Sequence, residues 1–161
     1  MFKNTMYEGN LKERYALLNM QLKAMLENEP NTIANLANTS ALLNNFLDDI
    51  NWVGFYILEN NELVLGPFQG LPACVRIPVG KGVCGTAVSE GEIQVVDNVH
   101  EFPGHIACDE NSRSEVVIPL YIDNRIYGVL DIDSPIYNRF SNEEANELSE
   151  FANILCKHIN G

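Results

Sequence analysis

Residues 115–133 read EVVIPLYIDNRIYGVLDID, and this stretch predicts the centre of the fold. Two runs rich in β-branched and aromatic residues, 115–122 and 125–133, flank the dipeptide Asp123-Asn124, which favours a tight turn. The stretch therefore predicts a β-hairpin with two long antiparallel strands.

The register of this hairpin decides where its acidic side chains point. A two-residue turn with regular pairing would set Glu115 opposite Ile132, and Glu115 would then point away from Asp131 and Asp133. An odd shift, from a longer loop or a β-bulge, puts all three acids on one face. Pro119 within the first strand favours such an irregularity.

The elements around the hairpin follow from apolar spacing. Upstream, leucines recur at helical intervals, and downstream Ser141 and Glu144 have the spacing of a capping box. The predicted order is helices over 10–29 and 31–48, strands over 52–58, 63–65 and 75–77, a short helix over 84–89, a strand over 93–96, the hairpin, and a last helix from Ser141.

This order predicts an α+β fold with one mainly antiparallel sheet and helices packed on one face. We expect a single domain over 1–161, with N-terminal helices in 1–48, the sheet and its loops in 51–133, and the C-terminal helix in 141–160.

Composition narrows the class of partner. The chain has 161 residues, with 10 Lys and Arg against 22 Asp and Glu, for a net charge of -12. Such a surface repels phosphate backbones and anionic lipid, which argues against nucleic-acid and membrane partners. The N-terminus lacks the apolar core of a signal peptide, and no apolar run approaches the ~20 residues of a membrane span. We therefore expect a cytoplasmic protein.

The four cysteines call for separate interpretations. Cys156 lies on the apolar face of the last helix and is expected to pack in the core. Cys84 lies between glycines at the start of a short helix, where the helix dipole lowers a thiol pKa. A zinc site from Cys74, Cys84, Cys108 and His105 lacks a close pair of ligands, so we expect no metal.

Five motifs in the central part of the chain carry a resemblance. They are GPFQG (66–70), ACVRI (73–77), GKGVCG (80–85), FPGHIACD (102–109) and LDIDSP (130–135). In this order they resemble the free methionine-(R)-sulfoxide reductases, stand-alone enzymes of the GAF fold. The likeness covers nearly the whole chain and is weakest over the N-terminal helices.

The resemblance implies a thiol-dependent reduction of free methionine-R-sulfoxide. A cysteine thiolate attacks the sulfoxide, and the resulting sulfenic acid is converted to an intramolecular disulfide that an external dithiol, thioredoxin, reduces. The implied attacking thiol is Cys108. Cys74 and Cys84 lie opposite it, with Cys74 favoured as the resolving partner, and no bound cofactor is implied.

The resemblance also implies a substrate pocket. Trp52 and Tyr56, four residues apart on a strand, would be its walls, although strand aromatics often only pack in a core. Asp131 and Asp133 share a strand face and, with Glu115, would form a carboxylate cluster for the substrate's ammonium group. Crowding raises carboxyl pKa values, so one acid can stay protonated as the proton donor. The sequence leaves open which one.

Two other functions share this fold. A GAF-type regulatory module would bind a small molecule without consuming dithiol, and a thiol redox sensor would form the disulfide without turning over sulfoxide. Three cysteines in the predicted pocket, and the lack of a recognisable output segment, favour the enzyme. The oligomeric state, a homodimer included, stays open.

Overall fold

Six strands and four helices make up the computed structural model, which describes residues 6–106 and 108–159. Parts of three predictions lie outside the described residues: the start of the predicted N-terminal region (1–5), Ala107 of the FPGHIACD motif, and the end of the predicted C-terminal helix and domain (160–161). The strands are β1 (Trp52–Glu59), β2 (Glu62–Gly70), β3 (Arg76–Pro78), β4 (Gln94–Val96), β5 (Ser114–Ile122) and β6 (Arg125–Ser134). The helices are α1 (Leu11–Leu26), α2 (Thr32–Phe46), α3 (Gly82–Glu90) and α4 (Asn142–Cys156), with a 3-10 turn at Val99–Glu101.

The strands form one sheet in the order β3-β2-β1-β6-β5-β4, with every neighbouring pair antiparallel. The α+β class and the antiparallel sheet are confirmed. The second strand is much longer than the predicted 63–65, because β2 pairs with β1 along its whole length across a register shift between Gly54 and Tyr56. The central hairpin lies in the interior of the sheet.

Each face of the sheet has its own apolar core. On one face, residues such as Val53 and Phe55 pack against the three long helices α1, α2 and α4. On the other face, Trp52 and Tyr56 pack with the first turns of α3, through Val83. The long helices therefore cover one face, as predicted, and the short α3 occupies the opposite face. Among the described residues, none of the helices has both the length and the hydrophobicity to cross a membrane.

Helix α4 begins where predicted but is capped differently. The Ser141 side chain accepts a hydrogen bond from the Glu144 backbone N–H at 3.0 Å, as a capping box requires. The second half of the predicted box is wrong, because the Glu144 carboxylate bonds elsewhere. It accepts from the Tyr15 hydroxyl and from Arg139, both at 2.7 Å. The carboxylate thus ties α4 to α1 instead of closing its own first turn.

The hairpin contains the predicted irregularity. Ile122 pairs with Arg125 across a turn in which Asp123 and Asn124 both have positive φ. The register then shifts by one residue, so that Tyr127 is the extra residue of β6, and Glu115 pairs with Asp133. The register prediction is confirmed: one β-bulge brings Glu115 to the face that carries Asp131 and Asp133.

Gly128 directly follows this bulge and permits a close approach of β6 to β1. A Cβ atom at this position would lie 2.1 Å from the carbonyl oxygen of Tyr56. We expect Gly128→Ala to lower the free energy of unfolding by roughly 1–3 kcal/mol, because the two strands must separate. Gly66→Ala is the matched control, since its Cβ would lie 3.1 Å from the Phe55 carbonyl oxygen. Urea denaturation of both variants measures the difference, and an equal loss in both would contradict this account.

Candidate active site

A pocket lies on the face of the sheet that α3 covers, where β1, β5 and β6 lie side by side. Seven of the eight site residues that the sequence analysis named line it, and the eighth, Cys74, is bonded to one of them. The seven are Trp52, Tyr56, Cys84, Cys108, Glu115, Asp131 and Asp133. Residues from strands far apart in sequence thus converge because alternate side chains of adjacent strands share one face.

The acidic cluster of Glu115, Asp131 and Asp133 forms the polar end of the pocket. Glu115 and Asp131 are only 7% and 5% exposed. Burial, and then the charges of Asp131 and Asp133, raise the pKa of Glu115 well above its usual value, and Glu115 is placed to donate to both neighbours. Burial raises the pKa of both aspartates too, while the hydrogen bond from Glu115 opposes that rise. The direction of these hydrogen bonds favours Glu115 as the carboxyl group that carries a proton in the cluster.

One proton on Glu115 cannot satisfy both aspartates at once. Oδ1 of Asp131 and Oδ1 of Asp133 are buried, and neither accepts a hydrogen bond from an amide, hydroxyl or thiol of the described residues. Buried acceptors without donors are costly, and they are rare in folded proteins. The cluster is consequently suited to a ligand that brings its own hydrogen-bond donors and a positive charge.

Cys84 touches this cluster as a protonated thiol. Its Sγ lies 3.9 Å from Oε2 of Glu115, and the residue is 4% exposed. Burial, and then the negative charge of the acidic cluster, chiefly that of Asp131, raise the pKa of the Cys84 thiol well above its usual value. The expectation that the helix dipole lowers this pKa is wrong, because burial beside carboxylates outweighs a position in the first turn of α3.

Cys74 and Cys108 form a disulfide, with their Cα atoms 5.5 Å apart. Trp52 and Tyr56, which line the pocket, donate hydrogen bonds to the backbone at and near Cys74. The Tyr56 hydroxyl donates to the Cys74 carbonyl oxygen at 2.8 Å, and Trp52 Nε1 donates to the Leu71 carbonyl oxygen at 3.2 Å. The pairing agrees with the one that the resemblance implied.

The aromatic residues serve two purposes in the structure. Trp52 and Tyr56 are each 2% exposed and stack with ring centroids 5.9 Å apart, while Trp52 also stacks on Phe68 at 5.1 Å. They belong to the apolar core of this face and also line the pocket. Core packing and a pocket wall were alternatives from the sequence alone, and in the structure both residues do both.

Cys156 lies away from the pocket, in the core beneath the long helices. It is 9% exposed, and burial raises the pKa of its thiol to about 11. The prediction that Cys156 packs in the core is confirmed by this position.

The candidate zinc set does not assemble as thiolates, because Cys74 and Cys108 are joined to each other. Among the described residues, one group of possible metal ligands does lie close together: Cys84, Glu115 and Asp131, with ligand atoms within 4.8 Å of one another. Metal binding there requires Cys84 and Glu115 to lose their protons, and burial opposes this because it raises the pKa of both groups.

Several residues in or beside the pocket were not identified as functional by the sequence analysis. Asn51, Asp109 and Ser112 form a hydrogen-bonded group beside Asp133. Asn51 and Asp109 are 58 positions apart, and no spacing motif joins them. His105, considered from the sequence only as a zinc ligand, lines the pocket, and burial lowers its pKa.

Known proteins resemble the chain along nearly its full length. The GAF domain family matches residues 22–159. The chain is 56% identical to the free methionine-R-sulfoxide reductase of Escherichia coli (strain K12), over 92% of this chain and 90% of that protein.

Two solved structures with bound substrate are also similar. The free methionine-R-sulfoxide reductase of Neisseria meningitidis is 42% identical with a TM-score of 0.93, over 98% of this chain and 95% of that one. The fRMsr of Staphylococcus aureus is 55% identical with a TM-score of 0.87, over 96% of this chain and 99% of that one.

The environments of the thiols predict an order of alkylation. In the oxidised protein at neutral pH, we expect iodoacetamide to modify neither Cys84 nor Cys156, because both are buried thiols with raised pKa values. After reduction, Cys108 and Cys74 should be modified first. Peptide mass spectrometry, with urea-unfolded protein as the control that labels every thiol, measures the order. Fast labelling of Cys84 in the folded protein would contradict the proton assignment.

Proposed function

The chain belongs to the GAF domain family and, within it, to the free methionine-R-sulfoxide reductases, and from that membership we propose how its pocket carries out the reaction. It is an oxidoreductase that reduces free methionine-R-sulfoxide to methionine. One observation carries the proposal: Cys108, joined to Cys74, lines the same pocket as three acids whose pKa values are raised, and Glu115 among them is placed to donate a proton.

Substrate binding uses both ends of the pocket. We assign the substrate's ammonium group to Asp131 and Asp133, whose Oδ1 atoms receive no hydrogen bond from an amide, hydroxyl or thiol of the described residues. We assign the methylthio end to the Trp52 face, because an apolar group gains from the aromatic wall and the acids gain nothing from it. The sulfoxide oxygen then faces Glu115.

The reduction needs a nucleophile and a proton donor. The Cys108 thiolate attacks the sulfoxide sulfur, and the Glu115 carboxyl group gives its proton to the oxygen. The oxygen is transferred to the Cys108 sulfur, so that methionine leaves and Cys108 becomes a sulfenic acid. The two electrons come from the thiol sulfur, and Glu115 regains a proton from solvent before the next turnover.

Recycling uses Cys74. Its thiolate attacks the sulfenic sulfur of Cys108, hydroxide leaves and takes up a proton as water, and the Cys74–Cys108 disulfide results. An external dithiol, for which we propose thioredoxin, then restores both thiols. We assign no nucleophilic step to Cys84, because its surroundings hold it protonated. The proposal places the protein in the cytoplasm, where such dithiols are kept reduced.

The function is tested by supplying purified protein with dithiothreitol and the separated sulfoxide epimers. We expect turnover of free methionine-R-sulfoxide and little of the S epimer, whose oxygen would face Trp52 while its methyl group met the acids. N-acetylation removes the ammonium charge and leaves a buried carboxylate unpaired, at a cost of about 3–5 kcal/mol. The N-acetyl R-sulfoxide should therefore react roughly two to three orders of magnitude more slowly.

Chromatographic quantification of methionine measures all three rates. Equal rates on the free and the N-acetylated R-sulfoxide would refute ammonium recognition while leaving the thiol chemistry intact. Binding of the sulfoxide without loss of dithiol would instead indicate a regulatory module, and disulfide formation by peroxide alone would indicate a redox sensor.

Cysteine variants separate attack from recycling. Cys108→Ser should give no methionine with any reductant, because no nucleophile remains. Cys74→Ser should give about one methionine per chain in the absence of reductant but lose turnover with thioredoxin, since the disulfide cannot form. Cys156→Ser is the matched control, a buried thiol outside the pocket. If Cys156→Ser were as damaging as Cys108→Ser, the division between reacting and packing thiols would be wrong.

A further inference from the structure

One side-chain amide beside the pocket connects two segments on which the proposed reaction depends. Asn51 directly precedes β1, and its Nδ2 donates to Asp109 Oδ2 at 2.9 Å and to Ser112 Oγ at 3.1 Å. The Ser112 hydroxyl donates in turn to Asp133 Oδ2 at 3.2 Å. A chain of hydrogen bonds therefore runs from Asn51 through Ser112 to the acidic cluster.

The chemistry of its members fixes the direction of this chain. The Asp109 carboxylate only accepts, so the Asn51 amide must turn its NH2 group toward it and its oxygen away. Ser112 has one hydroxyl proton, and because its oxygen accepts from Asn51, that proton is left for Asp133. Oδ1 of Asn51 is buried without a hydrogen-bond partner among the residues described. The two donated bonds, rather than a partner for the oxygen, hold the amide in place.

The bond from Ser112 distinguishes Asp133 from Glu115 and Asp131, the other two acids of the cluster. It favours the charged carboxylate and so opposes the rise in the Asp133 pKa that burial and Asp131 cause. The other titratable groups that line the pocket are Glu115 on β5, Asp131 on β6, Tyr56 on β1, Cys84 on α3, Lys81 just before it, and His105 and Asp109 in the loop. Of these, the Asp131 carboxylate opposes a negative charge on Asp133, and the hydrogen bond that the neutral Ser112 hydroxyl donates counteracts this opposition.

The same amide also holds the segment that carries Cys108. Asp109 follows Cys108 directly and forms a tight turn. Its Oδ1 accepts a hydrogen bond from the Asn111 backbone N–H at 2.8 Å. Its carbonyl oxygen accepts one from the Ser112 backbone N–H at 3.2 Å. The Asn51 backbone N–H meanwhile donates to the Asp133 carbonyl oxygen at 2.9 Å. Asn51 thus connects the turn after Cys108, through its side chain, to the backbone of Asp133, through its own N–H.

Resting on the proposed function, we propose that Asn51 and Ser112 are positioning residues for the reduction. Together they hold the Asp133 carboxylate toward the substrate's ammonium group and hold the Cys108 segment at a fixed place beside it. Neither residue needs to touch the sulfoxide, since each acts through Asp133 or through Asp109.

The test compares Asn51→Ala, Ser112→Ala and the double variant with the unaltered protein, using dithiothreitol and free methionine-R-sulfoxide across the pH range. Each single change should lower kcat/KM by about 10- to 100-fold, the range expected for a hydrogen bond to a charged group. In Ser112→Ala the loss should fall mainly on KM, and the acid limb of the pH profile should move to higher pH. The double variant should match Asn51→Ala, because both changes break one chain of bonds.

Two further variants distinguish positioning from folding. Ser112→Thr keeps the hydroxyl and should restore the acid limb. Ser114→Ala removes another buried hydroxyl, one that donates to the Ile136 carbonyl oxygen at 2.6 Å outside the pocket. It should lower the thermal unfolding midpoint while leaving KM and the pH profile unchanged.

The outcomes separate the two proposals. A Ser112→Ala protein with the original KM and acid limb, or single effects that multiply in the double variant, would overturn the positioning role. If Asn51→Ala does not fold, the comparison of Ser112→Ala with Ser112→Thr decides the question alone. Failure of the unaltered protein to reduce the free R-sulfoxide would instead overturn the proposed function.

Discussion

Glu115, Asp131 and Asp133 share one face of the sheet because β6 has one more residue than β5 between the turn and the site. Without the bulge at Tyr127, the side-chain alternation of a strand would send Glu115 into the apolar core under the long helices. Crowding three carboxyl groups in a pocket is unfavourable, and the raised pKa of Glu115 favours a proton there that reduces the cost. The raised pKa of Glu115, the protonated Cys84 and the unsatisfied aspartate oxygens all follow from this single register shift.

The sequence was most informative where the deciding contacts are local. The hairpin, the start of α4 and the core position of Cys156 depend on alternation, capping and helical spacing, which neighbouring residues reveal. The predicted bulge also came from local reasoning. Regular pairing would have put Glu115 and Asp133 on opposite faces of the sheet, so a common face required an irregularity that composition alone does not show. The site residues as a set were named through a family resemblance, since no local rule brings β1, α3 and β6 together.

The failures share one physical cause, which is that distant partners outweigh local tendencies. Glu144 leaves its own helix end because Tyr15, 129 positions away, and Arg139 supply better partners. The Cys84 pKa rises because distant parts of the chain bury the thiol and because strands β5 and β6 place acidic groups beside it. Asn51 went unnoticed for the same reason, as its importance depends on Asp109 and Ser112, to which no sequence spacing connects it.

The two faces of the sheet differ in how much apolar surface they bury and in whether they carry the pocket. The three long helices and the larger apolar core lie on one face, and the pocket with its unsatisfied acids lies on the other. Most of the burial that keeps the chain folded is thus physically separated from the side chains that line the pocket. Such a scaffold can drift in its pocket chemistry over evolutionary time, exchanging acids or thiols for other groups, while the supporting layer preserves a stability reserve.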